Sequence, residues 1–262
     1  RGPALPRDLR LRGRGAASNH SGRFETERRS PFDDGWAGDA EAPRLLRTEV
    51  REERARSAIV WQTSPDLPFD RSINPYRGCE HGCAYCYARP THAWLGLSAG
   101  LDFETRLVAR PGLGAVLERE LRARGYRPAP LAIGTNTDPY QPLEARHRIT
   151  REVLGVLSAF RHPVAITTRG VLVERDIDLL GEMGRAGLAQ VMVSITTLDA
   201  GLARAMEPRA PTPARRLEML GRLSAAGVPV GVMVAPLIPG LTDHEAEAIV
   251  AAAAGAGARA AV

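Results

Sequence analysis

The chain has 262 residues, of which 44% are hydrophobic, and this length permits one large domain such as an α/β barrel together with an extension. No stretch approaches the roughly 20 uninterrupted apolar residues of a membrane-spanning helix, and the charged N-terminus lacks the apolar run of a secretory signal. We therefore expect a cytoplasmic protein without a membrane segment. The net charge of +5 rests on 35 arginines with no lysine, and this mild excess is weak support for nucleic-acid binding.

Residues 1–60 are predicted to form an irregular, arginine-rich N-terminal arm, because apolar positions are scattered through them and give no core. The arm begins with an Arg-Gly-rich stretch, Arg10–Gly15, which could contact nucleic-acid phosphates. The alternative interpretation is a solvated tail. The remaining residues, 61–262, are predicted to form the core domain.

Short apolar runs alternate with amphipathic stretches from about residue 70 onward. The predicted strands are Ser72–Tyr76, Leu131–Thr135, Val164–Thr168, Gln190–Thr196, Val228–Val234 and a run that opens at Ala260. The predicted helices are Gly114–Arg124, Arg151–Phe160, Arg175–Ala186, Pro213–Ala226 and Asp243–Ala256. This alternation indicates parallel strands joined by right-handed crossovers, in either a barrel or an open doubly wound sheet. Because the last run has only begun at Val262, we expect the chain to be a fragment.

Three cysteines, the only ones in the chain, lie within eight residues in the pattern C-x3-C-x2-C, directly after the first predicted strand. They are Cys79, Cys83 and Cys86. Three thiolates on one loop can ligate a single iron–sulfur cubane and leave one iron open to another ligand. The alternative is a structural zinc site of the Cys3His type, completed by His81 or His92.

This motif, with Tyr85 just before the last cysteine, resembles the signature of the radical S-adenosylmethionine (SAM) superfamily. The wider chain resembles a bacterial branch related to spore photoproduct lyase, loosely called DNA repair photolyases. The resembling segments are Gly13–Ala16, Asp33–Trp36, Pro68–Cys79 and Gly134–Pro142.

The resemblance implies a partial (β/α)6-type barrel that binds a [4Fe–4S] cluster and SAM. It implies reductive cleavage of SAM to a 5′-deoxyadenosyl radical, which takes hydrogen from a substrate, with an electron supplied by a reductant such as flavodoxin or ferredoxin. The substrate is unidentified, and nucleic acid is one candidate. The competing hypothesis is a nucleic-acid-binding protein that uses the structural zinc site.

Polar residues gather where predicted strands end, which is where functional groups lie in α/β barrels. In the family, the segment after the second strand binds the amino group of SAM. That segment here contains Thr135, Asn136 and Asp138, but it has no Gly-Gly-Glu, the form that this recognition often takes. Asn136 and Asp138 are therefore the expected substitutes, and a turn-forming role is the alternative for Asp138.

Later strand ends supply the rest of the expected SAM pocket. Ser194 and Thr196 would face the ribose, with ordinary β-propensity as the alternative explanation for these residue types. Thr168 closes the third strand beside Arg169, which could bind a carboxylate or could be an exposed surface arginine. Val234 and Pro236 would line the adenine.

One departure separates the chain from spore photoproduct lyase, which uses a further cysteine to return hydrogen to its substrate radical. The three cysteines of the motif exhaust those in this sequence. Repair by that route is therefore not expected unless a tyrosine such as Tyr140 replaces the cysteine.

Overall fold

The computed structural model describes residues 14–21, 24 and 47–262. The strands of this part are β1 (Glu49–Glu52), β2 (Val60–Trp61), β3 (Arg71–Ile73), β4 (Tyr76–Arg77), β5 (Arg106–Ala109), β6 (Leu131–Ile133), β7 (Val164–Thr168), β8 (Ala189–Ser194) and β9 (Val230–Met233). Its α-helices are α1 (Asp102–Thr105), α2 (Leu113–Leu121), α3 (Glu144–His147), α4 (Ile149–Ala159), α5 (Ile177–Arg185), α6 (Ala200–Met206), α7 (Pro213–Ala225) and α8 (Ala246–Gly255). Short 3-10 helices cover Arg89–Leu95, Val171–Asp176 and Asp243–Glu245.

The main sheet has six strands in the order β2-β3-β6-β7-β8-β9, and all neighbours after the antiparallel β2–β3 pair are parallel. The strand order follows the chain without reversing, as in a barrel, whereas a doubly wound sheet reverses at a switch point. The predicted α/β fold is therefore confirmed, and the strand order favours the barrel over the open sheet. Ala261 continues the sheet in a parallel bridge to Val232, next to the run predicted to open at Ala260.

The helices pack their apolar faces against the parallel strands, as the amphipathic patterns predict. On α7, for example, Met219, Leu220 and Leu223 are fully buried. This helix begins where Thr212 accepts a hydrogen bond from Arg215 N, with Pro213 at its first position. Among the described residues, no helix is both long and apolar enough to cross a membrane.

The structure shortens or divides several predicted elements. The run 72–76 divides at Pro75, which has no N–H to donate, so that Arg71–Ile73 joins the main sheet while Tyr76–Arg77 pairs with β5 in a separate three-stranded sheet, β1-β5-β4. The strand predicted over 131–135 ends at Ile133, because Gly134 takes a positive φ of 90°. The helix predicted from Arg175 begins at Ile177, after a 3-10 helix.

Parts of the predicted arm pack against the rest of the chain. Strand β1 pairs in parallel with β5, and Ala58 is completely buried in the main core. The segment 14–21 runs along the start of α1, where the side chain of Asn19 donates to Asp102 at 2.8 Å and accepts from Asp102 N at 2.9 Å. Residues 10–13 and 33–36 lie outside the described residues, and the division of the chain at residue 60 stays a prediction.

Candidate active site

The three cysteines lie on a loop of residues 78–87, the cysteine loop, between β4 and the 3-10 helix Arg89–Leu95. Cys79 and Cys83 are buried, and Cys86 is half-buried. The backbone of the loop is anchored at its start, because Cys79 N donates to Phe103 O at 2.9 Å. The side chain of Gln141, itself fully buried, accepts from Glu80 N and donates to Gly78 O at 3.0 and 3.1 Å. Sequence reasoning did not identify Gln141 as a residue that shapes this loop.

All three cysteines line one cavity with the carboxyl ends of β6, β7 and β8. Parallel strands bring these ends to the same edge of the sheet. The full lining is Cys79, His81, Cys83, Cys86, Tyr87, Gly134, Asn136, Thr137, Asp138, Thr167, Thr168, Arg169 and Ser194. Four of the residues predicted to bind SAM, Asn136, Asp138, Thr168 and Ser194, are therefore brought together with the cysteines.

The other predicted residues lie outside this lining. Thr135 accepts a hydrogen bond at its carbonyl oxygen from the hydroxyl of Tyr87, an exposed cavity residue that sequence reasoning missed. Tyr85 and Thr196 meet in a polar network next to the cavity, where their hydroxyls lie 3.0 Å apart. Val234 is buried and bonds through its backbone to Val262, and Pro236 follows it after β9. A place for Val234 and Pro236 beside adenine stays a prediction.

Asp138 organises the loop after β6. One carboxylate oxygen accepts from Tyr140 N at 2.8 Å and from the Thr168 hydroxyl at 2.6 Å, and the other accepts from Arg169 N at 2.9 Å. Burial opposes ionisation, but the nearby His81 and these hydrogen bonds outweigh it and lower the pKa of Asp138 well below its ordinary value. The carboxylate is thus ionised and accepts three hydrogen bonds. The one from Tyr140 N stabilises a turn, which is the alternative role predicted for Asp138.

Tyr140 does not lie at the cavity. It is 1% exposed, and its hydroxyl donates to Asp176 Oδ2 at 3.1 Å. Burial and the neighbouring Asp176 raise the pKa of the phenol. This position gives no support to the expectation that Tyr140 could return hydrogen to a substrate.

A group of buried and half-buried polar residues, which we call the strand-end network, joins the ends of β7 and β8 to α6 and α7. It consists of Tyr85, Arg169, Thr196, Glu207 and Arg216. Arg169 Nη1 lies 2.9 Å from Cys83 Sγ, 2.6 Å from Tyr85 Oη and 2.8 Å from Glu207 Oε1, so its two hydrogens are shared among three acceptors. Arg169 Nη2 donates to Ser194 Oγ at 3.3 Å. Arg216 binds the other oxygen of Glu207 and donates to Ser194 O at 3.0 Å.

The charges of this network sum to +1 next to the cysteines. Burial opposes ionisation of Glu207, but Arg169 and Arg216 outweigh it and lower the pKa of the carboxyl below its ordinary value. Burial also opposes the charge on Arg169, and the surrounding Cys83, Tyr85 and Glu207 outweigh it and raise its pKa. Two arginines therefore share one carboxylate. Arg169 is not the exposed surface arginine of the alternative interpretation.

A second group, which we call the loop clamp, holds the backbone of Cys83. It consists of Gly15, Ala16, Arg89 and Glu104. The fully buried Glu104 accepts from Gly15 N at 3.0 Å, from Ala16 N at 2.8 Å and from Arg89 Nη2 at 2.6 Å. Arg89 in turn donates from Nε and Nη2 to Cys83 O at 3.0 and 2.8 Å. This part of the predicted arm is therefore part of the architecture around the cysteines.

The thiols themselves are suited to a cationic iron site. Burial raises the pKa of Cys79, and it raises the pKa of Cys83 to about 11 in spite of the opposing effect of Arg169. Thiolates buried in this way need a positive partner to exist at neutral pH, and a metal ligated by sulfur supplies one. The donor set thus fits an iron–sulfur cluster.

The zinc alternative fits the geometry less well. His92 does not line the cavity, because its Nε2 lies 2.9 Å from Arg106 O and its ring packs against Phe103. His81 does line it, and its buried Nδ1 lies 3.3 Å from Asp138 Oδ2 without forming a hydrogen bond. Across the described ranges, no three His, Cys, Asp or Glu side chains are arranged to hold one metal ion.

Comparison with known families gives a direct match. Residues 73–253, more than half of the chain, match the family model described as the radical SAM superfamily. The chain belongs to the radical SAM superfamily. Its cysteine motif, cavity and polar strand ends all lie within the matched residues.

The chain is also similar to proteins from other organisms and, in fold, to solved structures. This radical SAM chain is 44% identical over 177 residues to an uncharacterized protein of Mycobacterium tuberculosis, covering 68% of the chain and 52% of that protein. It is 27% identical over 174 residues to one of Methanocaldococcus jannaschii, covering 66% and 62%. Spore photoproduct lyase complexed with a dinucleoside spore photoproduct has a TM-score of 0.54 at 16% identity, covering 72% of this chain and 52% of that one, a likeness of fold. The chain spans about half the length of the mycobacterial relative.

Proposed function

We propose that this chain forms the cofactor-binding core of an enzyme in which Cys79, Cys83 and Cys86 bind a [4Fe–4S] cluster and leave its fourth iron to SAM. The observation that carries the proposal is that all three cysteines of the motif line one cavity at the carboxyl edge of a parallel sheet. When bound and reduced, the cluster would cleave SAM to a 5′-deoxyadenosyl radical, which takes hydrogen from a substrate.

The residues of the chain would bind and orient SAM in this cavity. Asn136, Asp138, Thr168 and Ser194 share the cavity with the cysteines, and we assign them to direct contact with SAM. Thr135, Thr196, Tyr85, Val234 and Pro236 do not line the cavity, and we assign them to a surrounding layer that the cofactor reaches only if the pocket widens. Support for SAM itself comes from a solved spore photoproduct lyase with bound AdoMet, which has this fold with a TM-score of 0.55 at 16% identity.

The substrate part of the proposal is nucleic acid. Spore photoproduct lyase has been solved with a dinucleoside spore photoproduct, which makes nucleic acid the first class to test here. The 262 residues hold three cysteines, all of them at the cavity, so no fourth cysteine within them returns hydrogen to a substrate radical. We therefore propose that any hydrogen-return step uses a group other than a cysteine of these 262 residues.

Anaerobic reconstitution with iron and sulfide tests the cofactor part of the proposal. We expect about four irons per chain, an electron paramagnetic resonance (EPR) signal after reduction that changes on addition of SAM, and slow release of 5′-deoxyadenosine. Dithionite would replace the natural one-electron donor, which we propose to be a flavodoxin or ferredoxin. A chain with all three cysteines changed to alanine is the matched control. Tight zinc binding without iron, or a full cluster that never cleaves SAM, would overturn the proposal.

Deuterium transfer tests the substrate part. Deuterated DNA and RNA oligonucleotides are incubated with the reduced enzyme and SAM, and 5′-deoxyadenosine is analysed by mass spectrometry. Deuterium in 5′-deoxyadenosine is the expected result. Its absence with every oligonucleotide, while an unlabelled reaction still cleaves SAM, would exclude nucleic acid and leave the cofactor assignment intact.

A further inference from the structure

We propose that the Arg169–Glu207 pair sets the reduction potential of the cluster through the sulfur of Cys83. The inference rests on the proposed function, since it concerns the cluster assigned to the three cysteines. It goes further by giving a role to two charged residues beyond the cluster ligands and the proposed SAM contacts.

The geometry places one positive charge on one cysteine. Arg169 Nη1 lies 2.9 Å from Cys83 Sγ, and within the described part of the chain Cys83 is the cysteine whose sulfur receives a hydrogen bond from a charged side chain. The Arg169 side chain is 17% exposed, so water screens the contact only weakly. Its partner Glu207 is 2% exposed.

The pair is fixed in place by further contacts on both residues. Glu207 binds Arg169 through one oxygen and Arg216 through the other, and Arg216 is 1% exposed. Tyr85 and Thr196 donate to the same Glu207 oxygen that accepts from Arg169. Arg169 is therefore held by a buried scaffold, and its guanidinium does not need to reorganise when the charge of the cluster changes.

The sign of the effect follows from charge. Reduction adds one electron to the cluster, so a hydrogen bond and a positive charge at a ligating sulfur stabilise the reduced form more than the oxidised form. Arg169 thus raises the potential and makes the cluster easier to reduce. Glu207 lies beside Arg169 and offsets part of its charge, so the carboxylate lowers the potential.

The test is an EPR-monitored redox titration of the reconstituted enzyme without substrate. For Arg169→Gln we expect the equilibrium constant for reduction to fall at least tenfold, a shift of about 59 mV to more negative potential. For Glu207→Gln, which keeps an oxygen to accept from Arg169, we expect a shift in the opposite direction. Arg169→Lys keeps the positive charge but lacks the planar guanidinium, so its reduction potential should lie between those of the wild type and Arg169→Gln.

Opposite shifts of the reduction potential in Arg169→Gln and Glu207→Gln would indicate an effect of charge, because structural damage to the site would shift the potential of both variants in the same direction. Arg215→Gln is the control, since the Arg215 side chain pairs with Glu174 and not with Glu207, and this variant should leave the potential unchanged. If Arg169→Gln fails to fold, Arg169→Lys and Glu207→Gln still decide the sign.

The outcomes separate this inference from the proposed function. A wild-type chain that takes up no cluster overturns both. Two other results overturn the inference alone, provided that the wild type takes up a cluster. One is a reduction potential of Arg169→Gln equal to that of the wild type, and the other is a shift of the potential in the same direction in Arg169→Gln and Glu207→Gln.

Discussion

The loop clamp and the strand-end network both act on Cys83, but they hold different parts of it. The clamp binds the carbonyl oxygen of Cys83 through Arg89, whereas the strand-end network binds its sulfur through Arg169. The clamp pairs one arginine with one glutamate and is neutral, while the network places two arginines around Glu207 and carries a net positive charge.

This difference separates two roles around one ligand. A neutral group on the backbone fixes where the cysteine lies, and a charged group on the sulfur changes how stable its thiolate is. Changes in the clamp should therefore alter stability and cluster retention, and changes in the network should alter the electronic properties of the cluster.

The largest effect is expected from Glu104→Gln. The change leaves Arg89 charged and buried without its counter-ion, which typically costs about 3 to 5 kcal/mol. We expect the free energy of unfolding in urea to fall by this amount, and the iron content after reconstitution to fall with it. Glu118→Gln is the matched control, because Glu118 forms an exposed pair with Arg122 that is worth less than about 1 kcal/mol. Full iron retention in Glu104→Gln would show that the clamp does not position the cysteine.

A smaller effect is expected from Gly15→Ala. A Cβ on residue 15 would lie 1.7 Å from Gly82 O in the cysteine loop, so the segment 14–21 must move away from it. Displacement would weaken the hydrogen bonds from Gly15 and Ala16 to Glu104, at a cost of about 1 to 3 kcal/mol. Limited proteolysis should cut the variant faster within 14–21, and the cluster absorbance should bleach faster in air.

Gly155→Ala provides the control for that substitution. Gly155 lies inside α4 with nothing within 4 Å of an added Cβ. Alanine is the better helix former, so the control should match or exceed the wild type in stability. Equal proteolysis of the two variants would show that the arm segment does not depend on this close approach.

The smallest effect is expected on the pH dependence of stability, from Asp138→Asn, which lies next to the strand-end network and accepts a hydrogen bond from Arg169 N. The folded pKa of Asp138 is lowered, so its ionised form contributes stability above the unfolded pKa of about 3.9, and this contribution is lost as the pH falls through the folded value. The asparagine side chain of the variant cannot ionise, so urea midpoints measured from about pH 5 down to about pH 2 should fall less steeply than in the wild type. The exposed Asp66→Asn is the control, and an unchanged slope in Asp138→Asn would contradict the prediction.

One residue of the site that was not predicted had a recognisable signal in the sequence. Arg216 lies at helical spacing from Met219, Leu220 and Leu223, and so on the apolar face of α7. Because a buried charge needs a partner, an arginine on this face indicates a buried acidic residue next to it. Glu104 and Glu207 carried no such signal, because both lie at or next to the end of a short helix and bind Arg89 and Arg169, 15 and 38 residues away, outside any helical or strand period.

The cysteine motif, the alternation of strands and helices, and the polar residues at strand ends could all be predicted from the amino-acid sequence. These are local patterns, since the spacing of three cysteines and the period of apolar residues are properties of short segments. Packing was needed to bring Asn136, Asp138, Thr168 and Ser194 into the cavity of the cysteines, and to leave Thr135 and Thr196 beside it. Packing also joins Gly15 to Glu104, 89 residues along the chain, at the cysteine loop, because contacts between distant segments leave no period in the sequence.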